Sequence, residues 1–214
     1  RPTRLLHKLR EITVTGFSTF FIDVAMGILT ILFNRQIVHY LGTNALAVYG
    51  VIVQISTFAQ CCAYSIGQAS QPITSVNLGA GKGERIRQLL KYALGTVAFF
   101  GILWTALSLA VPNLFIRVFM TPTPEVLQIA PDIFRRYGPA FLILPLNIYS
   151  TYYIQALLKP RAAFIVSVAR GFVISCILIY LLPVLLGPDA IWFSMPITEV
   201  IVAVYVVCQM RKYT

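Results

Sequence analysis

The sequence predicts an all-α integral membrane protein, a bundle of six transmembrane helices, on three observations. First, 58% of the 214 residues are apolar and 11% are charged, with a mean hydropathy of +0.79. A soluble domain carries about 45–50% apolar and about 25% charged residues, so this chain lacks the polar side chains to cover a water-facing surface. Second, the apolar set amounts to about 124 residues, and a span consumes roughly 20, which supplies six spans with short connections. Third, the apolar runs are long and are cut by charges, Gly and Pro. Each run is assigned to helix because an open strand leaves its backbone groups unpaired in hydrocarbon.

Taken in order, the runs fall near residues 12–32, 45–78, 89–111, 131–158, 162–186 and 191–210. The segment 1–11 precedes the bundle at 12–210, and 211–214 form a tail. The second run is the odd one. Its 34 residues would extend roughly 51 Å against a hydrocarbon core of about 30 Å, so it must tilt, bend at Pro72 or emerge into water. Pro72, Pro139, Pro145 and Pro196 fall inside runs, where each removes a backbone hydrogen bond and allows bending.

The net charge of +10 does not read as a nucleic-acid surface, because the cations punctuate apolar runs and form no stripe on a soluble face. They are instead asymmetric about the bundle. One side receives Arg1, Arg4, Lys8, Arg10, Lys82, Arg85, Arg87, Lys91, Lys159, Arg161, Arg211 and Lys212, a total of 12, while Arg35, Arg117, Arg135 and Arg136, a total of 4, fall on the other. The positive-inside rule places both termini of the chain in the cytoplasm of a multi-pass plasma membrane, expected to be a bacterial inner membrane. No cleavable signal is evident, and the start at Arg1 fits a fragment.

Charges within spans default to functional or paired roles, and here they are Asp23, Arg170 and Glu199. Asp23 lies about 16 Å into the first span, near mid-bilayer, on a face shared with Gly16, Thr19, Gly27 and Thr30. A carboxylate on a small, polar face suits a water-accessible cavity and ion coupling; the plainer alternative is a hydrogen bond to a neighbouring helix. Arg170 and Glu199 each lie about 12 Å inside adjacent antiparallel helices, at levels only about 6 Å apart, which favours a structural ion pair. In the second span, Thr57, Gln60, Tyr64, Gln68, Gln71 and Ser75 recur every three or four residues along one face. Such a stripe is either interhelical glue or a cavity lining, and its length favours the lining. The fourth span adds Asn147, Tyr149, Ser150, Thr151, Tyr152, Tyr153 and Gln155. The expected substrate cavity is formed by Gln60, Tyr64, Gln68, Gln71, Asn147 and Thr151.

Other matches fail. Gly79, Gly81 and Gly83 lack the Lys-Ser/Thr of a phosphate loop and read as a cytoplasmic turn. His7 and His39 have no neighbouring ligands, Cys61, Cys62, Cys176 and Cys208 lie in apolar runs without metal or redox spacing, and no catalytic triad stands at membrane depth. No enzyme, metal, disulfide or organic cofactor is expected.

The stretch Gly67-Gln68-Ala69-Ser70-Gln71-Pro72-Ile73, then Asn77-Leu78-Gly79-Ala80-Gly81 and a basic helix start, resembles the eighth span of the multidrug and toxic compound extrusion (MATE) transporters. Gln155-Ala156, Lys159, Ser167, Arg170-Gly171, Leu182-Pro183, Gly187, Ile191-Trp192, Pro196-Ile197 and Glu199 are similar to their tenth to twelfth spans. The match runs from Arg10 to Lys212. The resemblance implies one lobe, spans seven to twelve, of a twelve-helix MATE-type fold, with 1–11 as the inter-lobe connector and the amino-terminal lobe missing. It further implies a secondary antiporter that exports cationic or amphipathic drugs in exchange for protons or sodium by alternating access. Asp23 stands near the functional acid of span seven and Glu199 near an acid of span twelve. No acid stands between Tyr137 and Leu158 to match a sodium-linked carboxylate of span ten. Two alternatives remain: a flippase of related fold for lipid-linked precursors, which would line its cavity with several basic residues, and a non-transporting scaffold, which would bury Asp23, Gln60 and Gln68 with no cleft. Membrane lipids and small drugs or organic cations are the expected partners, and nucleic acid is not.

Overall fold

The structure, a computed structural model, describes residues 24–159 and 162–210, together with the helical backbone that flanks them. Asp23, the expected connector and the tail lie outside the described residues. The described residues contain helices and turns and no strand.

Helix runs from Pro2 to Gly79 with a break at Gly42, whose φ of 82° and ψ of −176° are not helical. We name the halves α1 (2–41) and α2 (43–79). The sequence predicts a loop between residues 32 and 45; instead one glycine makes the reversal, because only a residue without Cβ adopts that backbone at little cost. Pro72 lies within α2 without a break in helical backbone there. The 37 residues of α2 give about 55 Å of helix, so it outreaches the hydrocarbon core. Its end is closed at Ala80–Lys82, where Lys82 N–H donates to the Asn77 carbonyl (2.9 Å), Gly81 N–H donates to that of Leu78 (3.1 Å), and Gly81 has φ of +67°. This is a Schellman cap, and the glycine cluster is a turn.

The chain continues through α3 (Gly83–Ala110), a short α4 (Pro112–Phe119), α5 (Pro124–Tyr137) and α6 (Ala140–Ala156). The fourth expected span is therefore two helices of 14 and 17 residues meeting at Gly138–Pro139, where proline withholds a backbone donor. After α7 (Pro160–Val168) comes a π-helical turn (Ala169–Val173), then α8 (Ile174–Leu186), a 3₁₀ segment (Pro188–Phe193) and α9 (Ser194–Tyr213). Four described stretches are long and apolar enough to cross a membrane, namely Val24–Gly79, Gly83–Ala110, Ala162–Leu186 and Pro188–Met210. The first holds two passes across Gly42, and α5 with α6 supplies the sixth.

At the centre stands α6, which packs on α2, α3, α7 and α9. Its buried residues include Phe141, Leu144, Asn147, Tyr149, Tyr153 and Ile154, while Leu142 and Gln155 are exposed, so most of its surface is covered by neighbouring helices. One core cluster gathers Phe33, Ile37, Tyr49, Phe134 and Trp192, and a second, toward the other end, gathers Ile86, Tyr149, Tyr153, Val206 and Met210. Outward-facing residues are large and apolar, among them Ile31, Val118, Val184 and Leu186, which is the surface a bilayer requires. Beside the Gly42 reversal, Asn44 Nδ2 donates to Glu125 (2.9 Å), and Arg136 pairs with Asp189 at 2.8 Å.

Candidate functional site

A cavity of about 350 Å³ opens among α1, α2, α6 and α7, lined by Met26, Tyr64, Ile148, Thr151, Tyr152, Gln155, Ser167, Arg170 and Gly171. Its walls come from the middle of α2 and of the α7–α8 stretch and from the C-terminal half of α6. Tyr64 on α2 and Tyr152 on α6 meet edge to face, with ring centroids 6.1 Å apart, an arrangement favoured by the ring quadrupoles. Tyr152 reaches this position because Gly67 faces it: a Cβ at residue 67 would stand 2.6 Å from the Tyr152 ring.

Arg170 is delivered by the π-helical turn. A π-turn carries one residue more than the α-helical register, which re-aims the side chains that follow it. The Arg170 carbonyl accepts from Ser175 Oγ at 2.8 Å, and the same oxygen of Ser175 lies 3.3 Å from Thr198 Oγ1 on α9. Arg170 Nε then donates to Glu199 Oε1 at 2.8 Å, from a side chain 16% exposed to a carboxylate with no exposure at all. Glu199 Oε2 and its carbonyl accept from Asn147 Nδ2 at 2.6 and 2.9 Å. Both carboxylate oxygens are thus engaged, the condition under which a buried ion pair is tolerated.

The structure sorts the six expected cavity residues. Tyr64 and Thr151 line the cavity, and Gln60 stands behind Tyr64, whose hydroxyl donates to Gln60 Oε1 at 3.4 Å. Gln68 and Gln71 are not among the lining residues. They share the helix face of Tyr64, and Gln68 is exposed and Gln71 half-buried. Asn147 is a correction of a different kind: it has no exposure and braces Glu199 behind the wall. Arg170 and Glu199 are brought together as an ion pair. Gln60 is half-buried and Gln68 exposed, where a scaffold would seal both.

Ser167, Gly171, Met26 and Ile148 also belong to the wall; the first two stand among the residues that carry the family resemblance, and the last two were not singled out by the sequence. Met26 and Ile148 carry no chemical signal and are apolar like their neighbours.

The described residues thus form a helical lobe with an aromatic and polar cavity among its spans. The MatE family model matches residues 19–181, and the chain belongs to that family. It is 23% identical over 215 residues to the multidrug export protein MepA of Staphylococcus haemolyticus (strain JCSC1435), an alignment covering 99% of this chain and 46% of that protein. In fold it is similar to an outward-facing multidrug resistance MATE family transporter of the MOP superfamily, with a TM-score of 0.82, 16% identity, and coverage of 95% of this chain and 46% of that one. It is likewise similar to the MATE multidrug transporter DinF-BH, solved as a complex, with a TM-score of 0.79, 24% identity and the same coverage. The chain spans about half the length of the relatives it matches.

Proposed function

We propose that this chain forms one lobe of a secondary antiporter that exports cationic or amphipathic compounds in exchange for protons or sodium. The cavity of about 350 Å³ between α1, α2, α6 and α7 carries this reading, because a chamber lined by tyrosines and small polar groups has no packing role in a bilayer lobe. Asp23 is the residue proposed to exchange the coupling ion; in the sequence it precedes the cavity residue Met26 by three positions. Gln68 and Gln71 extend the polar face of α2 from the cavity toward the Gly79–Gly83 turn, as an entry path from the cytoplasm would. A second lobe supplies the opposite wall, in keeping with the half-length match, and rocking of the two lobes opens the chamber to alternate sides. The Arg170–Glu199 pair joins the last two spans structurally. A carrier of lipid pyrophosphates is disfavoured, since Arg170 is the one basic residue among the described cavity lining.

Replacing Asp23 by Asn in the transporter that carries this lobe should abolish drug export and its pH dependence. Retained resistance with an unchanged pH profile would refute the assignment.

A further inference from the structure

We infer that the end of the bundle carrying the α2–α3 turn holds the headgroup of an anionic phospholipid, seated at a second cavity between α2, α3 and α6 and gripped by Arg87 and Lys91. This cavity, of about 400 Å³, has walls formed by Leu78, Glu84, Ile86, Arg87, Tyr153 and Leu157. Its floor is apolar and buried, made by Ile86, Leu157 and the Tyr153 ring, which stacks on Tyr149 with centroids 6.3 Å apart. Its rim is charged. Tyr153 and Leu157 stand on the opposite face of α6 from Thr151, Tyr152 and Gln155, and Leu78 lies about 21 Å along α2 from Tyr64, so this cavity is distinct from the export chamber. The second lobe proposed above meets the chamber of Tyr64 and Tyr152, which leaves the α3 side to the bilayer; the site's access to lipid rests on that reading.

Charge here is one-sided. Residues 82–91 hold four cations, Lys82, Arg85, Arg87 and Lys91, against the single acid Glu84, and all five are exposed. Even with Glu84 set against Arg87, one turn further on, three cations remain at the edge of the hydrocarbon, where each favours an anionic headgroup. Lys159, exposed in the α6–α7 turn two residues after Leu157, adds a cation beyond the other wall. The continuation of α3 points to a lipid and not to a soluble phosphate. Arg87, Lys91, Gly95, Ala98 and Ile102 follow one another at steps of four, four, three and four and are all exposed, so they share one face of the helix. Nothing lies within 4 Å of a Cβ added at Gly95. This face begins with two cations and descends through small residues to an apolar one, an outline filled by a phosphate with acyl chains below it. Tyr92, next to Lys91 and 68% exposed, is the amphipathic ring expected at headgroup level.

The test uses the full transporter carrying this lobe, stripped of lipid in detergent and offered dioleoyl phosphatidylglycerol and dioleoyl phosphatidylcholine in equal amounts, with retained lipid counted by native mass spectrometry. The wild type should hold the phosphatidylglycerol about tenfold more tightly. In Arg87→Gln/Lys91→Gln that ratio should fall to within about twofold, whereas Arg35→Gln/Arg117→Gln, which removes the same charge from exposed positions elsewhere on the lobe, should keep it. Circular dichroism and monodisperse elution verify folding, and Lys82→Gln/Lys91→Gln, with the same expected fall, serves where the Arg87 variant folds poorly. A wild type without the preference overturns the inference. So does a folded Arg87 and Lys91 variant that keeps the preference, or an equal loss in the Arg35 and Arg117 variant, which would reduce the effect to bulk charge. Displacement of the lipid by glycerol 1-phosphate at equal concentration overturns it as well, since the acyl chains would then add nothing. Binding is read without a gradient or export, so its failure leaves antiport through Asp23 standing, and a failure of the Asp23→Asn test leaves the lipid ratio interpretable.

Discussion

Glu199 has no exposure to solvent, and its position is bearable only because Arg170 and Asn147 saturate both carboxylate oxygens. Breaking such a pair costs more than replacing it, since a lone buried charge loses its hydration and gains nothing. Glu199→Leu should therefore lower stability by about 3–5 kcal/mol, whereas Arg170→Met together with Glu199→Leu should come within about 1–2 kcal/mol of the wild type, as measured by denaturation in micelles. At Gly67 the constraint is space. Gly67→Ala would place a methyl 2.6 Å from the Tyr152 ring, and we expect a loss of about 1–3 kcal/mol with weaker ligand binding, read from melting curves with and without ligand. The ion pair was legible in the sequence, because helical rise alone puts Arg170 and Glu199 at similar depth. The role of Asn147 was not, because its partner is 52 residues away and no local spacing announces it.

Elements here are broken where backbone chemistry demands it. The reversal between α1 and α2 hangs on Gly42 at φ 82°, so Gly42→Ala should cost about 1–3 kcal/mol and lower the melting temperature although nothing lies within 4 Å of the added methyl. A crowded site would give the same loss for a different reason; the open surroundings make backbone strain the sole cause. The glycine turn at 79–83 was readable from residue type; the break at Gly138–Pro139 was not, since Pro72 and Pro145 sit inside unbroken helices and residue type gives Pro139 no other status. The sequence predicts a twelve-residue connection before residue 45 because polar residues such as Asn34, Arg35 and Gln36 interrupt the apolar run. Helix continues through them because α1, like α2, outreaches the hydrocarbon and its polar end stands in water. The π-turn at Ala169–Val173 left no signature in the sequence, since it is decided by how α7 and α8 meet α1 and α9.

For the whole molecule, the charge asymmetry of 12 against 4 makes a prediction about orientation. Lys82 lies exposed in the α2–α3 turn, so the variant Lys82→Cys should react with a membrane-impermeant maleimide only from the cytoplasmic side, once the native cysteines are replaced. Labelling of intact cells from outside would invert the proposed topology. What the sequence determined by itself was the solvent, the number of passes, the asymmetry of charge and the similar depth of Arg170 and Glu199, all of which follow from composition and from a rise of about 1.5 Å per residue. The tertiary structure alone decided which polar residues share a chamber. Tyr64 and Thr151 face it, Gln68 and Gln71 are not among its lining residues, and Asn147 is buried against Glu199. Helical periodicity says which side chains share a face; what that face meets depends on crossing angles and axial offsets between helices far apart in the chain.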